Sequence, residues 1–129
     1  MWLVSEGYLE GFYHKPRISK EVLADHSEGL IGLSACLSGE VARRLLDRDP
    51  EGARVDAETY REILGPENFF LEIQNHGTPD EEFVRQGMTE LSRLTGIEMV
   101  ATNDSHFHHR EDFFAHRVML GIGLNRSLE

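Results

Sequence analysis

The stretch Met99-Val100-Ala101-Thr102-Asn103-Asp104-Ser105-His106 decides how the rest of the chain is read. It opens apolar and β-branched and closes abruptly on Asp-Ser-His, the pattern of a buried strand that delivers polar groups at its carboxyl end. Asp104 and His106 stand two apart, so on an extended backbone their side chains leave the same face. A carboxylate beside an imidazole suits a divalent transition metal, which accepts oxygen and nitrogen donors together. His108, His109, Glu111 and Asp112 follow directly. The plainer alternative is a strand that ends in a polar loop.

Upstream, two further segments have strand character. Leu30-Ile31-Gly32-Leu33-Ser34-Ala35-Cys36 is a short continuous apolar run, as expected of a parallel strand buried on both faces. It ends on the single cysteine of the chain. A buried thiol is usually a small hydrophobe. At a strand end beside Asp104, however, Cys36 becomes a third donor, of the right softness for zinc. Asn68 to Gln74 reads as the next strand and leads into Asn75-His76-Gly77.

Helices separate these strands. Ser19 caps a short one reaching about His26. Glu40 to Leu46 is another, and Asp49-Pro50 supplies a cap and an N1 proline for a helix running to about Leu64. Ala53, Ala57, Tyr60 and Leu64 share one face of it, and Gly65-Pro66 ends it. Thr78-Pro79-Asp80-Glu81 has the form of a capping box. Its helix carries Phe83, Val84, Met88, Leu91 and Leu94 as a buried stripe and closes at Gly96. A last helix spans about Arg110 to Gly121. At the other end, Trp2 to Tyr13 reads as an amphipathic turn or two broken by Gly7 and Gly11. Gly11 to Ile18 then reads as extended, since Pro16 excludes helix at Lys15. Lys15 and Arg17, set beside Tyr13 and His14, suit contact with phosphate or simply a solvated loop.

Strands alternating with helices predict an α/β fold with a parallel sheet. In such sheets and barrels, ligands gather at the carboxyl ends of the strands. Cys36, the Gln74 to His76 segment and the Asp104 to His106 segment all fall at such ends. That convergence is the strongest functional signal in the residues themselves, and it points to a metal or phosphate site. Three strands do not close a barrel, and Gly121 to Glu129 runs out without an evident domain edge. A fragment of a larger unit is therefore expected, with unpaired strand edges and low stability on its own.

Composition narrows the class. A chain of 129 residues suffices for one domain with a modest core. Its net charge of -10, from 23 acidic against 13 basic residues, makes it a poor surface for gripping nucleic acid, where Lys and Arg supply most of the affinity. Such acidity is compatible with bound cations or with solubility alone. No apolar run approaches membrane-spanning length, the start lacks a secretory signal, and one cysteine permits no internal disulfide. A cytoplasmic location without membrane contact is expected.

Gly11-Phe12-Tyr13-His14-Lys15-Pro16-Arg17 and the run from His26 to Glu40, with Gly29-Leu30-Ile31-Gly32-Leu33-Ser34-Ala35-Cys36 at its centre, resemble the bacterial replicative DNA polymerase III alpha subunits. So do Phe70-Leu71-Glu72-Ile73-Gln74-Asn75-His76-Gly77 and Val100 to His106. The likeness covers nearly the whole chain, in matching order, and points to the second half of the PHP (polymerase and histidinol phosphatase) domain of that family. It implies a distorted (β/α)7 barrel with metals at its mouth, of which residues 1–129 form an incomplete C-terminal portion. By position it makes Cys36, Asp104 and His106 metal ligands, with Glu72, His76, Lys15 and Arg17 as site-lining residues. The family's early His-x-His motif and the polymerase carboxylates are absent here, so no catalytic residue is expected in the chain and the fragment alone is expected to be inactive. The implied parent copies DNA from deoxynucleoside triphosphates with magnesium. Its PHP part, binding zinc or manganese, would either proofread or act as a scaffold for a separate proofreading exonuclease and neighbouring replicase subunits, the sliding clamp among them. A stand-alone PHP phosphoesterase and a metal-free structural module are the alternatives.

Overall fold

The computed structural model describes residues 1–127. Its elements are α1 (Trp2–Leu9), α2 (Lys20–Asp25), β1 (Gly32–Leu33), α3 (Glu40–Leu46), α4 (Pro50–Leu64), β2 (Phe69–Ile73), α5 (Pro79–Thr95), β3 (Met99–Ala101), a single 3-10 turn at Arg110–Asp112, and α6 (Phe113–Leu124). The expected alternation is present, and the three strands form one parallel sheet in the order β1-β2-β3. Gly32 pairs with Phe69, and Leu71, Glu72 and Ile73 pair with Met99, Val100 and Ala101. The sheet is open.

The central helices begin and end where their local chemistry dictates. Asp49 accepts the Gly52 amide at 2.9 Å and Pro50 fixes the first turn of α4. Thr78 and Glu81 close a reciprocal capping box at α5, and Gly96 ends that helix in the left-handed conformation. Alternation along β2 sends Phe69 and Leu71 into the helix layer, where they meet Val41, Leu45, Ala53, Ala57, Leu64, Val84, Met88 and Leu91. Helices α3, α4 and α5 touch one another and form that single layer. Phe70 and Glu72 point to the opposite side of β2 and are only half-buried.

The N-terminal part is tied on by polar contacts. Ser19 caps α2, and Lys20 reaches Glu40 of α3 at 2.9 Å and Asp56 of α4 at 3.3 Å. Arg44 donates to the other oxygen of the buried Asp56 at 2.9 Å. The Tyr60 hydroxyl donates to Glu40 at 2.8 Å; burial, followed by that carboxylate, pushes its phenol up to about 12. The Trp2 ring stacks on His26 at 3.7 Å and joins α1 to the end of α2.

Several expectations are corrected. Gly7 does not break α1; it is buried within it, where a Cβ would sit 3.4 Å from the Arg17 carbonyl oxygen. Gly11 to Ile18 is not extended throughout: Tyr13 and Lys15 exchange backbone hydrogen bonds around His14, whose φ is +60. The first strand is two residues long rather than seven, and it is not buried on both faces. Helices cover only one side of the sheet and β1 is an edge, so Ile31 is 71% exposed. Nor is β3 a buried strand. Among the described residues it pairs with β2 alone, and Met99 and Ala101 are exposed. Leu94 is exposed as well, because it lies roughly 90° round α5 from the centre of the Val84, Met88 and Leu91 stripe. Helix α6 buries none of its residues.

Candidate functional site

A parallel sheet puts the carboxyl ends of all its strands at one edge, and that edge carries the polar residues. After β1 the chain turns sharply. Ala35 adopts φ +65, and Gly39 passes so close to the Ser34 carbonyl oxygen that a Cβ there would sit 2.2 Å from it. Left-handed backbone is costly for alanine, and such strain is characteristic of ligand loops. It presents Cys36, whose exposed thiol lies 3.3 Å from the Ser38 hydroxyl.

Beside it, Ser34 accepts the Glu72 amide at 2.8 Å and fixes the end of β1 against β2. The Glu72 carboxylate accepts from the Thr102 hydroxyl and from the Gln74 amide, and so joins β2 to β3. Cys36, Glu72, Gln74 and Glu81 line one small cavity of about 20 Å³, room for a single water-sized occupant.

At the end of β3, Asp104 is itself left-handed at φ +44. His106 donates from Nδ1 to the Asp104 carbonyl oxygen at 2.7 Å, with the Asp104 carboxylate 3.9 Å from the same nitrogen. A carbonyl cannot donate, so Nδ1 carries the proton and Nε2 keeps the lone pair a metal would need. The His106 ring lies 5.5 Å from that of His116 on α6.

His76 is occupied differently. Its Nδ1 donates to Glu81 at 2.6 Å, and its Nε2 lies 3.4 Å from the Asn103 carbonyl oxygen. Glu81 accepts the His76 and Thr78 amides as well, at 2.9 and 3.1 Å. These contacts, the His76 ring foremost, hold the Glu81 carboxyl down to about 2. Glu81, followed by the Asn103 carbonyl, raises His76 above the ordinary imidazole value. With both ring nitrogens committed, His76 braces the site and has no lone pair to offer.

The structure therefore gathers Asp104 with His106, and Cys36 with Glu72, at one edge. It does not bring these pairs together: among the described residues no three His, Cys, Asp or Glu side chains are placed to hold a metal ion. The reason lies in the strand order. Strands β1 and β3 flank β2, so their ends stand about 9.5 Å apart, two inter-strand spacings. Lys15 and Arg17 are exposed on the N-terminal segment, and no side-chain hydrogen bond or ion pair among the described residues links them to the strand ends. Sequence reasoning overlooked Ser34, Thr102 and Asn103 and gave Glu81 only its capping role. The signal for the last was its place five residues beyond His76, across a turn.

No helix among the described residues is long and apolar enough to cross a membrane. Comparison with known proteins extends the reading. A curated relative named DNA polymerase III subunit alpha from Thermus aquaticus is 44% identical over 98% of this chain, which covers 10% of that protein. Proteins of the same name from Treponema pallidum and Deinococcus radiodurans are 42% and 40% identical, again over 98% of this chain, which covers 11% and 9% of them. The chain thus spans about a tenth of the length of the relatives it matches. The family model for the PHP domain matches residues 1–76, which take in the strained turn at Cys36, all of β2 and the bracing His76. With that match over more than half its length, the chain belongs to the PHP domain family.

Proposed function

We propose that this chain is the C-terminal portion of the PHP domain of a bacterial replicative DNA polymerase alpha subunit, and that it contributes Cys36, Asp104 and His106 to a divalent-metal site. Identity of 42–44% to replicase subunits over 98% of this chain carries the reading. The donor set supports its metal part, since a thiol, a carboxylate and an imidazole with a free Nε2 stand at one sheet edge, and this chemistry suits zinc or manganese. When bound, such an ion supplies Lewis acidity toward phosphoryl oxygens and activates water for phosphodiester hydrolysis. The Asp104 carbonyl orients the His106 ring, and the Ser34 and Glu72 contacts keep the Cys36 turn and the end of β3 on a common platform. DNA, deoxynucleoside triphosphates and magnesium belong to the polymerase reaction of the parent protein in the cytoplasm.

The test uses the complete subunit containing this chain. Primer extension with magnesium is expected, and Asp104→Ala with His106→Ala should lower zinc or manganese content while leaving primer extension in place. Unchanged metal content would remove the metal site, and failure to extend a primer would remove the replicase assignment. A scaffold role, toward a proofreading exonuclease or clamp-bearing replicase surface, is favoured by one observation: α6 leaves Phe114, Met119 and Ile122 about 70% exposed, as side chains awaiting a neighbour would be.

A further inference from the structure

We infer that His76 is a positioning residue, whose imidazole clamps the Asp104–His106 loop to the start of α5 and so sets the geometry of those two donors. The inference rests on the metal reading proposed above for what the loop does, but not for the clamp itself. Three observations carry it. The ring is a two-ended strut: Nδ1 donates to Glu81 at 2.6 Å, and Nε2 reaches the Asn103 carbonyl oxygen at 3.4 Å. Its anchor is rigid, because Glu81 is buried and already fixed by two backbone amides and by the Thr78 side of the capping box. Its other end grips the carbonyl of the residue before Asp104, where the backbone enters the left-handed region at φ +44. A strained residue persists only where its surroundings hold it. Apart from the two contacts between His106 and Asp104, at 2.7 Å to the carbonyl and 3.9 Å to the carboxylate and both internal to the loop, the side-chain contact on Asn103 to Ser105 among the described residues comes from His76.

The two ends can be cut separately. Asn in place of histidine keeps an N–H near the Nδ1 position, and Gln keeps one near the Nε2 position. In the full chain, His76→Asn should retain the contact to Glu81 and release the loop. Amide exchange over Asn103 to His106 should then rise about tenfold, while the amides of β2 and α5 stay unchanged. His76→Gln keeps the reach to the Asn103 carbonyl and, through the backbone amide of residue 76, a 2.9 Å link to Glu81, so part of the loop protection should return. In the complete subunit, Co²⁺ titrated as the probe should bind about tenfold more weakly to His76→Asn than to wild type, with His76→Gln between them. Equal loop exchange in wild type and His76→Asn, or identical behaviour of the two variants, overturns the clamp. Wild-type protein that takes no Co²⁺ overturns the metal reading instead, and the clamp is then judged on exchange.

Discussion

His76 and Glu81 meet at 2.6 Å, imidazole to carboxylate, at the point where the end of β2 turns into α5. The folded protein favours the charged form of both. Glu81 is held down to about 2 against an ordinary 4.5, so its contribution to stability is present above 4.5 and is lost as pH falls toward 2. His76 is raised above its ordinary 6.5, so its contribution is complete below 6.5 and is lost as pH rises through the folded value. Asp104 is the other charge acting on the ring, in the same direction. The pair therefore stabilises most between about pH 4.5 and 6.5. Thermal melts at pH 5.5 and pH 8.5 should show a drop of a few degrees at the higher pH, and the drop should shrink in Glu81→Gln. Equal pH sensitivity in the two proteins would refute the assignment.

The turn that presents Cys36 separates two glycine effects. Ala35 sits at φ +65, so Ala35→Gly should relieve left-handed strain beyond the entropy it adds, a net gain of about 0.5–1 kcal/mol. Gly39→Ala should do the reverse, since its Cβ would lie 2.2 Å from the Ser34 carbonyl oxygen and backbone would have to move. A loss of about 2–4 kcal/mol is expected there. Urea unfolding of both variants measures it; a destabilised Ala35→Gly would contradict the strain argument.

In the core, Leu71 is fully buried at the centre of β2, against the helix layer. Leu71→Ala should cost about 3 kcal/mol through lost transfer energy and a residual cavity. For a small open sheet that is a large share of total stability, and calorimetry should show the variant melting far below wild type or already unfolded at 37 °C.

The free edge of β1 predicts association. Ile31 is exposed beside it, and unpaired strand edges template pairing with other chains. Light scattering should detect concentration-dependent association of the isolated chain. Ile31→Lys should suppress it while shifting the melt by no more than about 0.5 kcal/mol. Undiminished scattering would assign association to another surface, with the exposed apolar side chains of α6 next in order.

Helix boundaries were legible where single residues enforce them. Asp49-Pro50, Thr78 with Glu81, and Gly96 each act within one turn of chain, and α4 and α5 start and stop as those residues require. The parallel sheet was legible from alternation of elements. Burial was not, because it depends on what covers a segment from far along the chain. The apolar runs at Leu30 and Met99 looked like interior strands, yet helices pack on one side of the sheet, and among the described strands only β2 places fully buried residues, Phe69 and Leu71, against them. The placement of Cys36, Asp104 and His106 beyond strand ends was legible from residue type and position. Their separation did not, since spacing along the sequence carries no information about which strand lies between two others. The role of Glu81 was hidden for a related reason: one side chain serves a local cap and a distant histidine at once.

Because β2 alone has a neighbour on each side, it is the common rail on which the two donor-bearing turns ride. The coupling is unequal. The rail is welded to the helix layer through Phe69 and Leu71, and the Cys36 turn leads straight into α3, part of the same mass. Asp104 and His106 hang from the outer strand, with little behind them. Warming should therefore loosen the Asp104–His106 turn first, and a metal site of the kind proposed above would come apart from that end well before the helices do.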